Sequence, residues 1–366
     1  MLIDNGPAAD KPVIQGAGIH HSVAWGRSIG RVIEVNHDWT IDRRGLLRTA
    51  GAVSAAASLA TSAAVRATPE SDTKLYILGS RAGPSVGSDR YMTCYAVVIG
   101  DRVYVIDCGY GASEQLVRAG LRLQDIRNLF ITHNHPDHNI ELGTLTYFAW
   151  YAGLTRPLDI YGPPPLKTVL DGYLKALKPD VDVWLDDIGH PPMGPVNATE
   201  LSKPQAVMDD GTVKVSCTVV HHTPIFPSLG YRIDAPGRSI AFSGDTSPSQ
   251  NLVELAKGCD VLVHEAIYPD PDQAAAATGQ VGDARVDNRE RGSAIAGDAR
   301  KLLTHVLNSH TTAEQAGQIA QQAGVKTLVL AHTVALMPGV TDGMWIAAAR
   351  KHFSGEVIFA HDLMVL

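Results

Sequence analysis

The stretch Thr132-His133-Asn134-His135-Pro136-Asp137-His138-Asn139 puts three histidines and one carboxylate into six positions, directly behind the apolar run Leu129-Phe130-Ile131. Imidazole nitrogen and carboxylate oxygen are the usual nitrogen and oxygen ligands of zinc. A strand feeding this loop can fan all four side chains toward one region. His133 and His135 share a face, while Asp137 and His138 lie past a proline. That spacing suits two ions side by side better than one. A lone histidine carries little information; His-x-His-x-Asp-His is specific.

Such a loop must be held by a sheet. Residues 126–132 read as the strand that delivers it, and 141–152 as a helix behind it. Upstream, 74–79 reads as a strand ending in a glycine-bearing loop, 80–88. The β-branched runs 95–100 and 103–107, split by Gly100-Asp101-Arg102, read as a hairpin. Asp107 closes it, where a carboxylate can orient an imidazole of a nearby metal loop or simply form a turn. Residues 113–119 read as a serine-capped helix stopped by Gly120. A strand at 158–161 and a helix at 166–177 follow, then an irregular region, 179–204.

The second half repeats the theme of strands that end in chemistry. Strand 213–220 reaches His221-His222. Strands 229–233 and 239–243 lead to Gly244-Asp245, and 261–263 to His264-Glu265. Strand 327–331 places His332 at its end. Helices are expected at 251–257, 312–323 and 344–353, and a last strand at 357–360. Residues 270–300 read as a loop over the site or a short helix. Early strands come as hairpins and later ones alternate with helices. The expected fold is α+β, a four-layer αββα sandwich of two mixed sheets with outer helices and the site along one edge.

The 366 residues, 45% hydrophobic and 19% charged, suit a globular protein with ample core. A formal net charge of −7 does not favour nucleic acid or an anionic membrane as partner. Cys94, Cys108, Cys217 and Cys259 stand far apart with no Cys-x-x-Cys, so thiolate zinc sites are not expected. Arg43-Arg44 ahead of the Ala-rich run 49–64, with Val65-Arg66-Ala67 as a cleavage site, resembles a twin-arginine export signal. Residues 1–68 are therefore expected to be an N-terminal extension and signal, residues 69–366 a hydrolase domain, and the location periplasmic or secreted.

The loop motif, with Asp107 upstream and His222, Asp245 and His332 downstream, resembles the metallo-β-lactamase superfamily over residues 74–366. Ser243-Gly244-Asp245-Thr246, Val263-His264-Glu265-Ala266 and Ser309-His310-Thr311-Thr312 resemble its ribonuclease Z and arylsulfatase-like branch. The resemblance implies that His133, His135 and His222 hold one metal and that Asp137, His138 and His332 hold the other. It implies Asp245 as bridge, Asp107 as the carboxylate behind the first loop, and His310 with Glu265 as an auxiliary proton-donating pair. It implies two zinc ions, with manganese or iron accepting the same donors, and a hydroxide shared between them that cleaves an ester.

The span between His222 and Asp245 has no room for the tRNA-gripping arm usual in ribonuclease Z. The expectation is accordingly a small aryl sulfate or phosphate ester as substrate, no stable nucleic-acid partner, no membrane, and a homodimer as a compatible assembly. The alternatives are a ribonuclease Z-like phosphodiesterase or endonuclease, or a lactone or carboxyl-ester hydrolase on the same machinery.

Overall fold

The alternation of β-branched runs with glycine turns builds two seven-stranded sheets. The computed structural model describes residues 72–87, 89–268, 306–335 and 339–366. These fall within one compact unit, Arg66–Leu366. The expected leader and the whole of the 270–300 segment lie outside the described residues.

The first sheet holds β1 (Thr73–Gly79), β2 (Cys94–Ile99), β3 (Arg102–Ile106), β4 (Ile126–Phe130), β5 (Leu158–Gly162) and β6 (Val196–Glu200) in that order, with β14 (Met364–Val365) on the β1 edge. The second runs β7 (Gln205–Asp209), β8 (Lys214–His222), β9 (Ile225–Ala235), β10 (Arg238–Phe242), β11 (Val261–Tyr268), β12 (Thr327–Ala335) and β13 (Glu356–Phe359). Each sheet is antiparallel through its first four strands and parallel through its last four. The two halves of the chain therefore share one topology, and β14 completes the first sheet at the place β7 takes in the second.

Alternation along the strands fills the layer between the sheets. Tyr95, Tyr104, Phe130, Tyr231, Phe242 and their aliphatic neighbours pack there, fully enclosed. Phe130 lies between Tyr161 and Tyr231, ring centres 5.4 and 5.5 Å away. The outer face of the first sheet is covered by α1 (Ala112–Arg118), α3 (Leu142–Tyr151) and α4 (Leu166–Val183), with the single turn α2 (Pro136–Asn139) between β4 and α3. The outer face of the second is covered by α5 (Gln250–Leu255), α6 (Ala313–Ala323) and α7 (Asp342–Arg350). The expected four-layer αββα sandwich is the observed one.

Local differences have local causes. Helix α4 runs on through Pro179 to Val183 and ends in a π turn at Trp184–Ile188, where irregular chain was expected. Ser113 lies inside α1, and the left-handed Gly111 takes the cap position. Strands β6, β7 and β14 are short and half exposed, so they lack the apolar signature of a strand. The N-terminus of α6 is closed by a capping box, Thr312 accepting from the Gln315 amide and the Gln315 side chain accepting from Thr312. The four cysteines are buried and unpaired by disulfides.

Candidate metal centre

The site lies where β3, β4 and β10 end and where β11 and β12 pass, at the same side of both sheets. From β4 the chain passes through Ile131 and Thr132 to His133, which is completely buried. His135 stays extended and caps α2, whose first residue is Pro136. Proline there presets the helical φ, so a single turn swings Asp137 and His138 inward, both nearly fully buried. Gly109 permits this packing, since a Cβ there would lie 2.2 Å from the Asp137 carbonyl oxygen.

The donor atoms form two lobes. In the first, His135 Nδ1 is 3.0 Å from His133 Nε2 and 3.2 Å from His222 Nε2. In the second, His332 Nε2 is 3.1 Å from His138 Nε2 and 3.3 Å from Asp137 Oδ2. Asp245 sits between and divides its oxygens. Oδ2 is 3.7 Å from His133 Nε2 and 3.9 Å from His222 Nε2. Oδ1 is 3.4 Å from His138 Nε2 and 3.3 Å from His332 Nδ1.

Hydrogen bonds behind the lobes fix the rings. Asp107 Oδ2 is 2.8 Å from His138 Nδ1 and accepts from Thr132 Oγ1 at 2.9 Å, while Oδ1 accepts from the Thr132 amide at 2.8 Å. The Ser309 carbonyl faces His222 Nδ1 at 3.1 Å. These contacts turn the opposite ring nitrogens toward the donor cluster. Asp107 and His332 both carry left-handed backbone, φ 59 and 49. Non-glycine residues adopt it only where surrounding structure imposes it. At His332 the cause is the irregular register of β12 against β11. The strand therefore continues through His332 to Ala335 instead of stopping before it.

Electrostatics fit a cation pair. Burial and the neighbouring His138 hold His133 far below the usual histidine range. Burial, against the pull of Asp245, takes His222 down to about 4. Both rings are thus neutral with a lone pair to give. Burial opposes charge on His138, but Asp245, Asp137 and Asp107 outweigh it and push that ring well up. A pocket that draws a proton onto a buried imidazole is short of positive charge. Asp245 Oδ1 and His332 Nδ1 are buried without hydrogen-bond partners. Convergent neutral imidazoles, acidic carboxylates and an orphaned carboxylate oxygen are a donor set for two divalent ions.

Against this pocket stands His310, whose Nδ1 is 2.8 Å from Glu265 Oε2. Burial disfavours its cation, but Glu265, Asp245 and Asp137 outweigh burial and lift His310 to about 9. Glu265 is itself pushed up by burial, against His310. Its other oxygen accepts from the Thr246 amide at 2.7 Å.

A model of the β-lactamase superfamily domain matches residues 102–333. The chain belongs to the metallo-β-lactamase superfamily. It is similar to ribonuclease Z of Mycobacterium bovis (strain BCG / Pasteur 1173P2), 31% identical over 291 residues that cover 77% of this chain and 91% of that protein. Ribonuclease Z of Mycobacterium avium (strain 104) is 30% identical over 290 residues, covering 78% and 91%. Among solved structures, human tRNase Z, short form, superposes with a TM-score of 0.55 at 21% identity, covering 80% of this chain and 98% of that one. The metallo-β-lactamase fold protein YhfI of Bacillus subtilis gives 0.56 at 18%, covering 80% and 98%.

Every superfamily position read from the sequence converges here: Asp107, His133, His135, Asp137, His138, His222, Asp245, Glu265, His310 and His332. His221 points elsewhere and is exposed. His264 is buried with Nδ1 against the Glu265 carbonyl, outside the donor cluster. His352 and His361 pair with Glu314 and Asp342 on the surface.

The expectation of a small ester substrate with no nucleic-acid partner needs correction, because the matching relatives are ribonucleases. So does the lean toward the arylsulfatase-like group, which none of them supports. Two physical reasons account for this. Net charge is a property of the whole chain, whereas bound dications would set the sign of the field at the cleft. The short span between His222 and Asp245 excludes an arm at one place only. Residues such as Thr132 and the Ser309 carbonyl went unassigned because hydroxyl and backbone contacts leave no spacing signature.

Proposed function

We propose that the protein is a dinuclear-metal phosphodiesterase of the ribonuclease Z type, acting on phosphodiester bonds of RNA. The observation that carries this reading is the two-lobed donor set beside the buried His310–Glu265 pair, in a chain whose relatives are ribonucleases. His133, His135 and His222 would hold one ion, Asp137, His138 and His332 the other, and Asp245 both. Zinc is the favoured metal for these nitrogen and oxygen donors. Bound there, the pair would acidify a water to serve as nucleophile and draw charge from the phosphoryl oxygens.

The chain's own residues supply the rest. Asp107 keeps the proton of His138 on Nδ1. His310, cationic at neutral pH, gives its proton to the leaving alkoxide as the phosphorus–oxygen bond breaks and the water oxygen takes its place. Glu265 holds His310 in the pocket and favours its charged form. Arg43-Arg44 would send the folded, metal-loaded protein through a twin-arginine route.

The test is a substrate panel with zinc-loaded protein: an RNA with a 3′ trailer, bis(p-nitrophenyl) phosphate and p-nitrophenyl sulfate. Cleavage of the RNA and the diester supports the reading. Turnover of the sulfate with neither phosphodiester cleaved overturns it.

A further inference from the structure

The loop that follows β1, residues 80–91, reaches the second lobe from both sides. The Gly83 amide donates to Asp137 Oδ2 at 2.8 Å, on the oxygen that faces His332. Arg90 Nη1 donates to Thr333 Oγ1 at 2.7 Å, one residue past His332. The Thr333 amide in turn donates to the Ser80 carbonyl at 3.2 Å, and Arg81 bridges to Thr333 across the two sheets. Thr333 is thus held at its amide and its hydroxyl, next to a residue in left-handed backbone.

One carboxylate closes the base of this loop. Asp362 Oδ1 accepts from the Ser80 amide at 2.9 Å and from Ser80 Oγ at 2.8 Å. Its Oδ2 accepts from the Tyr91 amide at 2.6 Å. Both ends of the loop are therefore pinned to one side chain. Asp362 lies on the segment that leaves the second sheet after β13 and joins the first as β14. Arg81 pairs with Asp89 and stiffens the interior of the loop. The hydrogen bonds that carry the loop to the metal centre fall on Asp137 and Thr333, on the side of the second lobe.

We propose that Asp362 and Arg90 are positioning residues for the second metal ion, acting through the 80–91 loop on Asp137 and His332. Asp362 sets the loop, the loop sets the Asp137 carboxylate, and Arg90 holds the side chain of Thr333, the residue that follows His332. This rests on the two-ion reading of the site and is independent of the substrate. Residues behind metal ligands typically contribute ~10–100-fold in metal affinity.

The test is stepwise zinc binding to metal-free Asp362→Ala and Thr333→Val, by chelator competition with elemental analysis, alongside thermal unfolding. Thr333→Val is nearly isosteric and cuts only the Arg90 link, so it carries the test if Asp362→Ala does not fold. The expected result is two ions in the unaltered protein, and in each variant a second ion weakened ~10–100-fold with the first unchanged. Arg90→Lys should retain less than the full second affinity, because Nη1 donates to both Thr333 Oγ1 at 2.7 Å and the Ser80 carbonyl at 3.4 Å, and the shorter lysine stem does not carry its ammonium to that point. Two ions held at unaltered affinity in Thr333→Val, or equal weakening of both, overturns the proposal. Fewer than two ions in the unaltered protein would instead sink the two-ion reading.

Discussion

Asp107→Asn changes no shape and two hydrogens, which makes it a clean probe of how the site sets its histidines. In the native arrangement Asp107 Oδ2 faces His138 Nδ1 at 2.8 Å and also accepts from Thr132 Oγ1. With an ion bound in place of the second proton, His138 would keep its proton on Nδ1 and turn a lone pair at Nε2 toward Asp137, Asp245 and His332. Asparagine can keep the Thr132 amide bond with its oxygen. Its amide nitrogen then falls opposite His138 Nδ1, donor against donor. The ring relieves this by moving its proton to Nε2, the atom 3.1 Å from His332 Nε2 and 3.4 Å from Asp245 Oδ1. A protonated Nε2 cannot ligate. The expected cost is ~10–100-fold in affinity for the second ion, about 1.4–2.8 kcal/mol. The first ion should change less, because Asp107 reaches His133 only through Thr132 Oγ1. Chelator competition reads the affinities, and nitrogen shifts of labelled imidazole read the tautomer. Two ions bound at native affinity with His138 still protonated on Nδ1 would refute the reasoning.

Other predictions follow from the same geometry. Asp245→Ala removes the side chain that faces both lobes and should abolish binding of both ions and all phosphodiesterase turnover, whereas His135→Ala should strip the first lobe selectively; elemental analysis separates the two outcomes. His310→Gln should lower kcat by ~10²–10⁴ with both ions retained, and unchanged turnover would remove His310 from the reaction. In metal-free protein, His310 is raised from 6.5 to about 9. Its stabilisation is then complete below pH ~6.5 and lost as pH rises through about 9. The loss amounts to roughly 3 kcal/mol, and denaturant unfolding of His310→Gln should flatten that alkaline limb. Arg43→Lys with Arg44→Lys should retain the protein in the cytoplasm with the leader uncut, and normal export of that variant in a fractionation assay would dispose of the signal reading.

What the sequence discloses and what it hides divides along physical lines. The loop 133–138 was legible because ligand chemistry needs particular side chains at a spacing the backbone constrains. The strands behind it were legible because a buried parallel strand carries an apolar run, as in Leu129-Phe130-Ile131 across the end of β4 and Val261-Leu262-Val263 at the start of β11. Strands β6 and β7 were not, because half-exposed edges lack that run. His332 was found but placed at a strand end, since an irregular register inside β12 has no compositional mark. Arg90, Thr333 and Asp362 were invisible as a set. They meet only when the tail crosses from one sheet to the other, and no local pattern encodes a contact between residues 80 and 362.

The shared topology of the halves explains why the site is where it is. Strands β3 and β10 stand at the same place in their sheets, each the last antiparallel strand beside the first parallel one. Asp107 follows β3 directly, and Asp245 follows β10 after Ser243 and a left-handed Gly244. A Cβ on that glycine would come 2.5 Å from the Leu229 carbonyl oxygen, so the chain turns tightly there and lifts Asp245 between the sheets. The next parallel strands, β4 and β11, supply charged or ligating groups, His133 to His138 in the loop after β4 and Glu265 within β11. Corresponding positions have taken complementary work. Asp107 turns back to orient an imidazole of its own half, and Asp245 turns outward to face both lobes. Two sheets packed face to face bring these strand ends together without any loop having to span the gap. A centre built this way needs both halves folded, so truncation after β6 should leave Asp107 and the 133–138 loop with no measurable tight zinc site, which equilibrium dialysis of residues 69–203 would check.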